Sequence, residues 1–97
     1  MLSLLMAVLS LGAVPGQPMD DAGPPCVAFR GEARSTGYGY RHVVVLTSSC
    51  KVNRVCDVSS DVNPEIQKVT VAPNETREVV TFLESTVAQF TPRVACK

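Results

Sequence analysis

The chain has 97 residues, enough for one domain, and its nine basic and nine acidic side chains leave it without formal net charge. A neutral chain lacks the basic surface that nucleic acids and anionic membranes attract, so we expect neither as the primary partner. Four cysteines in so short a chain indicate two disulfides, and hence a secreted or periplasmic protein with a small, cross-linked core.

The N-terminal stretch is apolar. It extends from Leu2 to Leu11 and is followed by the small residues Gly12 and Ala13. Such a run is typical of a signal peptide and is too short to span a bilayer as a helix, although no lysine or arginine precedes it. We therefore predict a cleaved signal peptide over residues 1–16 and no membrane contact after cleavage. The alternative, a buried N-terminal helix, would lack a polar face.

The next segment, residues 17–25, contains three prolines, one glycine and two aspartates. This composition disfavours regular structure and offers little to bury, so it predicts a linker. The folded domain is expected to occupy residues 26–97.

The first two predicted strands differ in their patterning. Residues 26–34 alternate, with Val27 and Phe29 apolar between small or charged neighbours, which predicts a half-buried strand. Residues 38–49 are apolar on both faces in the middle, which is typical of a central strand. The alternation therefore assigns one half-buried and one fully buried strand to the first half of the domain.

The remainder of the chain is also divided into short predicted strands separated by turns. Further strands are predicted over residues 56–62, 66–72, 77–83, 87–90 and 93–96, with turns at 51–55, 63–64, 73–76 and 84–86. No stretch carries a 3.6-residue period, so no helix is expected in the domain. Six or seven short strands at this spacing predict an all-β fold, a small antiparallel β-sandwich or barrel.

Residues 69–79 carry a family resemblance. Their sequence, VTVAPNETREV, resembles the strand, proline turn and strand of bacterial immunoglobulin-like sandwich modules. The match covers about eleven residues, and the chain has no tryptophan for the core of a true immunoglobulin domain. The resemblance implies an immunoglobulin-like architecture and transfers no functional residue.

The four cysteines allow three pairings. Cys50 and Cys56 flank a short turn, where cross-strand cysteines come within bonding distance, so we predict the pairs Cys50–Cys56 and Cys26–Cys96. A hairpin with Cys50 opposite Cys56 would place its sulfurs on one face with the side chains of Val44, Leu46, Val58 and Val62, which are expected to point inward. Cys26 shares its strand face with Arg30 and Glu32, so this pairing requires either that Cys26 lies just outside the first strand or that a bulge lies near it.

We expect neither a metal nor a cofactor. The cysteines lack the two-residue spacing of zinc sites, and the chain has a single histidine. An acidic run, formed by Asp57, Asp61, Asn63 and Glu65, does not have the spacing of an EF-hand loop and is expected to be a solvated face.

The start of the central strand is the first candidate binding patch. Tyr38, Tyr40, Arg41 and His42 lie together there, with glycines that would let a ligand approach the backbone, and tyrosine and arginine are frequent at interface hot spots. The alternative is an ordinary alternating strand, with Tyr38, Tyr40 and His42 on one face and Arg41 on the other.

Two further positions lie in predicted turns. Asn53 and Arg54 would occupy the turn closed by Cys50 and Cys56, where a rigid loop docks at low ordering cost. Asn74 begins an Asn-Glu-Thr sequon, a possible glycosylation site in a eukaryotic secreted protein.

The sequence contains no recognisable catalytic motif. We expect a non-enzymatic secreted domain that binds or spaces a protein or another surface macromolecule. An alternative is a small secreted inhibitor or effector that presents the segment between Cys50 and Cys56 to an enzyme. A third, a minimal hydrolase built on His42, would need a nucleophile and an orienting acid beside that ring.

Overall fold

A computed structural model describes residues 25–97, which form an all-β fold of six antiparallel strands without a helix. The predicted signal peptide, and the linker apart from Pro25, lie outside the described residues. The strands are β1 (Val27–Ser35), β2 (Tyr40–Ser48), β3 (Arg54–Ser60), β4 (Gln67–Val71), β5 (Thr76–Ser85) and β6 (Pro92–Cys96).

The strands form two sheets of three. Sheet A has the order β1-β2-β5 and sheet B the order β4-β3-β6, so β2 is a central strand, as its all-apolar middle predicted. The links from β2 to β3 and from β4 to β5 each cross from one sheet to the other. The predicted β2–β3 hairpin is therefore wrong, and residues 69–79 form a corner between sheets rather than a hydrogen-bonded hairpin.

The core lies between the sheets. Val44 and Leu46 of β2 are fully buried against the sheet B residues Val58 and Val71. Their alternation along the strands directs them inward, so the prediction for Val44, Leu46 and Val58 is confirmed. The fourth predicted core residue, Val62, lies beyond β3 and is only half-buried.

Both disulfides differ from the predicted pairs. All four cysteines are bonded, but the pairs are Cys26–Cys50 and Cys56–Cys96. The physical reason is the crossing of the chain after β2, which separates Cys50 from Cys56. Cys26 lies just before β1 and closes onto the end of β2, while Cys56 and Cys96 are directly opposite each other on β3 and β6.

The outer face of sheet A is covered by a charge clamp, which we define as Arg30, Glu32, Arg34 and Glu78. Arg34 on β1 reaches across β2 and donates to both carboxylate oxygens of Glu78 on β5, at 3.0 and 2.8 Å. Glu32 accepts from Arg34 through Oε1 and from Arg30 through Oε2, each with a shortest distance of 2.7 Å. The clamp thus links the two outer strands of the sheet, β1 and β5, across β2.

The clamp explains two buried valines that do not face the core. Val45 pairs with Arg30 on one side and Glu78 on the other, so it shares the outer face with the clamp, as does Val43. Both valines are nonetheless buried. The aliphatic stems of the charged side chains can shield such positions while their charged ends stay in water.

Several strand boundaries also differ from expectation. Residues 87–90, a predicted strand, form an irregular link, and β5 continues to Ser85 through the predicted turn at 84–86. The turn at 73–76 is confirmed. Glu75 N donates to Ala72 O at 3.1 Å, and Asn74 adopts a φ of 62°, which asparagine tolerates better than most residues.

Candidate binding surface at the β1–β2 turn

The turn between β1 and β2 is held by its own hydrogen bonds. The Thr36 amide donates to Gly39 O at 3.0 Å, and the Tyr38 amide donates to Thr36 Oγ1 at 3.4 Å. Gly37 has a φ of 92°, a conformation that glycine adopts without steric cost. Tyr38 is therefore displayed at the tip of a short, internally bonded turn.

Gly39 fixes this turn against the end of β5. A Cβ at position 39 would approach the carbonyl oxygen of Ser85 to 2.5 Å, far inside normal contact, so a side chain cannot fit without moving backbone. Tyr40, the next residue, pairs with Ser85 and is half-buried. The turn therefore packs against the end of β5 and continues directly into β2.

Three exposed side chains lie at this end of sheet A. Tyr38 is 87% exposed, and Leu83 of β5 is 65% exposed. Arg41 is exposed on the outer face, where it pairs in register with Arg34, and within residues 25–97 it forms no ion pair. Phe82 packs towards His42 in the interior, so alternation directs Leu83 outward, to the side of Arg41. We call Tyr38, Arg41 and Leu83 the turn surface.

His42 does not belong to the turn surface, because its side chain is fully buried. Its ring stacks on Phe90, with centroids 4.2 Å apart and planes 8° from parallel, and lies 5.9 Å from Phe82. The Nε2 atom donates to the carbonyl oxygen of Val87 at 2.7 Å. As a member of an exposed patch, His42 was predicted wrongly, since it points between the sheets and holds the link from β5 to β6.

The surroundings of His42 also bear on the hydrolase hypothesis. Nδ1 is buried without a hydrogen-bond partner, and among the described residues no acidic or nucleophilic side chain bonds to the ring. A shallow groove of about 610 Å³ lies nearby, lined by Gly31, Ala33, Asp61 and residues 88–91. The Asp61 carboxylate in this groove accepts the Thr91 amide at 2.7 Å. The ring thus contacts aromatic and main-chain groups, which is the environment of a structural histidine.

The segment containing Asn53 and Arg54 is a crossing between sheets, not a closed turn. Its two ends are anchored by different disulfides, because Cys50 binds Cys26 and Cys56 binds Cys96. Asn53 is exposed, whereas Arg54 is half-buried as the first residue of β3. The segment lies at the opposite end of the strands from Tyr38, so the two candidate regions are not brought together.

The remaining candidates lie on the surface. Asn74 is exposed at the corner between β4 and β5, where an attached glycan would meet solvent. The acidic run does not converge: Asp57 forms an ion pair with Lys68 at 2.7 Å, which lowers the pKa of its carboxyl, and Asp61 bonds to the Thr91 amide. No cluster of metal-ligating side chains occurs within residues 25–97.

Comparisons with protein-family models, with curated proteins and with solved structures find no match for this chain. Within the described part of the chain, no helix is long and apolar enough to cross a membrane. The assignment of a function therefore rests on the geometry of the chain itself.

Sequence reasoning identified two members of the turn surface, Tyr38 and Arg41, and missed Leu83. Leu83 is the last residue of the predicted strand 77–83, and nothing in the local sequence singled it out as a surface residue. A β-bulge in the β2–β5 pairing near His42 is the reason that Leu83 points outward, and the alternation of residues 79–83 does not reveal this bulge.

Proposed function

We propose that the chain is an exported, non-catalytic binding module with an immunoglobulin-like sandwich. The strand order supports the architecture. In immunoglobulin domains strands A, B and E share one sheet, while C and F lie in the other. Here β1, β2 and β5 have the first arrangement and β3 and β6 the second, with β4 beside β3 where variable-type domains place strand C′.

The two disulfides support export. Disulfides persist in oxidising compartments, such as the periplasm or the extracellular space, and are rare in the cytosol. Both pairs join residues that are distant in sequence, with separations of 24 and 40, so each cross-links a large part of the small domain. A domain of this size benefits from such cross-links because its core alone is small.

The observation that carries the binding proposal is the exposure of Tyr38 on a fixed turn. A tyrosine that is 87% exposed adds almost nothing to the core, yet its backbone is held by hydrogen bonds and by the packing of Gly39. An aromatic ring on a pre-ordered backbone, three residues before an arginine that forms no ion pair within residues 25–97, can bind a partner at reduced entropic cost. Tyr38 is too exposed to line a cleft, so a protein or another surface macromolecule fits the turn surface better than a small molecule does.

Capture from the secretome and cell-surface extract of the source organism tests this proposal. The full chain is immobilised, and recovery on it is compared with recovery on Tyr38→Ala and on Ile66→Ala, an exposed apolar control at 62% exposure. Loss of a hot-spot tyrosine weakens binding by about 2 kcal/mol, roughly 30-fold. We expect Tyr38→Ala, but not Ile66→Ala, to lose the captured partner. Equal recovery on all three chains would refute the role of the turn surface.

A second candidate, a secreted enzyme inhibitor, is favoured by the segment between Cys50 and Cys56. Its exposed residues 51–53 are bounded by two separate disulfides, which restrict the segment at both ends. Inhibition of a panel of secreted proteases by the full chain, compared with a Lys51→Ala/Asn53→Ala variant, tests it. If the parent chain inhibits none of the proteases, or the variant inhibits equally well, this candidate is lost.

A further inference from the structure

The strand edges of the two sheets are not equally protected. The edge of β5 is capped by Gln67, whose Nε2 donates to Val80 O at 2.6 Å, and the edge of β4 by Arg77, whose Nη1 donates to Thr70 O at 2.8 Å. These carbonyl groups point away from the neighbouring strand within their own sheet. Side chains that occupy them hinder the addition of a further strand.

The edge of β1 is protected in another way. Three side chains of the charge clamp belong to β1, and charged side chains on an edge strand oppose pairing with another chain. Phe90 and Pro92 also lie against Gly31, each so close that an added Cβ there would approach them to 2.9 Å. Three of the four edges are therefore capped or flanked by charge.

No side chain among the described residues caps the outer edge of β6, and β6 carries one charged side chain, Arg93, against the three of β1. Lys97 N donates to Val55 O and Asp61 N to Thr91 O, which places the odd-numbered residues of β6 in the hydrogen-bonded positions facing β3. The even-numbered residues consequently turn their amide and carbonyl groups outward: Pro92 with its carbonyl alone, Val94 and Cys96 with both groups. This is the side of strand F on which immunoglobulin domains place strand G.

We propose that this edge pairs antiparallel with β6 of a second copy of the chain, joining the two B sheets into one. With the two-fold axis at Val94, each Val94 amide donates to the Val94 carbonyl of the other copy. Each Cys96 amide then donates to the carbonyl of Pro92, the residue that has no amide to offer in return. This register pairs the Val94 amide and carbonyl, the Cys96 amide and the Pro92 carbonyl, and leaves the Cys96 carbonyl to solvent. The half-buried Val94 side chains meet at the axis.

The charges on the outer face suit the same register. Arg93 of one copy lies opposite Ala95 of the other, and Ala95 lies beside Asp57 in its own sheet. A small residue between them lets the guanidinium reach over it to the carboxylate. The Oδ1 atom of Asp57 accepts Lys68, while Oδ2 has no hydrogen-bond partner within residues 25–97.

Sheet A contains the same kind of contact, an arginine that bonds to a carboxylate across an intervening strand. There Arg34 extends across the intervening strand to Glu78, and a single carboxylate, Glu32, accepts two arginines. An Arg93 to Asp57 pair across two copies would repeat both features. A register centred on Ala95 would instead oppose Arg93 to Lys97, and like charges directly opposite each other are destabilising.

The expected dimer is weak, since an edge of five residues buries less than the roughly 1,200 Å² of stable complexes. Sedimentation of the full chain over about 10–500 µM, a range suited to weak interfaces, should show a reversible monomer–dimer equilibrium. A monomer throughout this range would overturn the proposal. A Tyr38→Ala variant, which alters the turn surface alone, should dimerise like the parent chain.

Two variants at one position separate dimerisation from stability. Within one copy, position 95 lies beside Asp57, so a lysine there is attracted to Asp57 and a glutamate is repelled by it. In the proposed dimer, position 95 also lies opposite Arg93 of the other copy, which repels the lysine and attracts the glutamate. Because the symmetry doubles each contact, Ala95→Lys should weaken the dimer about tenfold and Ala95→Glu should not weaken it. Thr47→Lys, an equal charge change on exposed sheet A, is the control. Weakening by both Ala95 variants, or by Thr47→Lys as strongly, would contradict the proposed register.

Hydrogen exchange locates the contact. The amides of Val94 and Cys96 point outward in the monomer and should exchange quickly at low concentration. We expect at least a several-fold slowing at concentrations where the dimer forms. A dimer without slower exchange at these two amides would associate through another surface and would refute pairing through β6.

Discussion

Substitution of His42 discriminates between a structural and a chemical role for the single histidine. The ring is fully buried, stacks on Phe90 at 4.2 Å, and donates to Val87 O at 2.7 Å. Removal of a buried aromatic ring costs about 3–5 kcal/mol for phenylalanine or tryptophan, and somewhat less, about 2–4 kcal/mol, for the smaller imidazole. A domain of this size has a total stability of about 4–11 kcal/mol. His42→Ala should therefore remove a large share of it.

His42→Phe should cost far less. It keeps the stacked ring and loses one hydrogen bond, worth about 0.5–1.5 kcal/mol. It also removes Nδ1, a buried atom without a partner, whose desolvation costs about 1–3 kcal/mol. Val87 is 46% exposed, so its carbonyl can turn towards water when the imidazole is absent. The two changes nearly cancel, and the stability should stay within about 1 kcal/mol of the parent.

Urea unfolding followed by far-ultraviolet circular dichroism measures both variants, with Arg41→Ala as an exposed neighbour expected within about 0.5 kcal/mol of the parent. The reasoning is refuted if His42→Phe is as destabilising as His42→Ala, because the hydrogen bond, and not the stacking, would then hold the ring. It is refuted equally if His42→Ala is nearly neutral.

Two further predictions concern the turn and the charge clamp. Gly39→Ala should destabilise the domain by at least about 1 kcal/mol in the same urea assay, because its Cβ would meet the Ser85 carbonyl. Gly37→Ala should cost about 1 kcal/mol through backbone strain alone. A neutral Gly39→Ala would contradict the close packing. The bonds from Arg34 hold the pKa of the Glu78 carboxyl below its usual range, so its contribution to stability is present above about pH 4.3 and is lost as the pH falls through the lowered pKa. Glu78→Gln should therefore be less stable than the parent at neutral pH, with a difference that shrinks in acid. Glu84→Gln, which removes an exposed carboxylate of β5 outside the clamp, is the control. A difference between Glu78→Gln and the parent that is independent of pH would contradict the clamp.

Local patterns predicted most of the strands. The alternation around Val27 and the apolar middle of β2 located these elements to within about two residues, which is the usual uncertainty of strand ends. The turn at Asn74 was predicted from the proline before it and from the tolerance of asparagine for positive φ. Each of these features is decided by a few neighbouring residues, so one sequence is sufficient to find them.

The sheet assignment could not be predicted in this way. The link from Cys50 to Arg54 is long enough either to turn back within a sheet or to cross to the other sheet, and its composition fits both. The position of Cys26 was predicted only in part. It shares its face with Arg30 and Glu32, which indicated that it lies outside the strand or near a bulge; it lies just before β1, but its partner is Cys50 and not the predicted Cys96.

What covers the outer face of sheet A could not be predicted from the sequence. The apolar middle of β2 predicted burial on both faces, and Val43 and Val45 are buried, but the sequence did not show which side chains cover them. Their burial depends on Arg34 reaching Glu78, a contact between residues 44 positions apart. Likewise, the bulge near His42 that directs Leu83 outward is a property of strand pairing rather than of local sequence.

Mapping of the disulfides by non-reducing digestion tests the two-sheet arrangement most directly, and both the turn surface and the β6 edge depend on that arrangement. Trypsin cleaves after Lys51 and Arg54, so Cys50 and Cys56 fall on different peptides. We predict that the peptide of residues 42–51 is linked to the one ending at Arg30, and the peptide of residues 55–68 to residues 94–97. A link between peptides 42–51 and 55–68 would place Cys50 on Cys56 and contradict the crossing of the chain between the sheets.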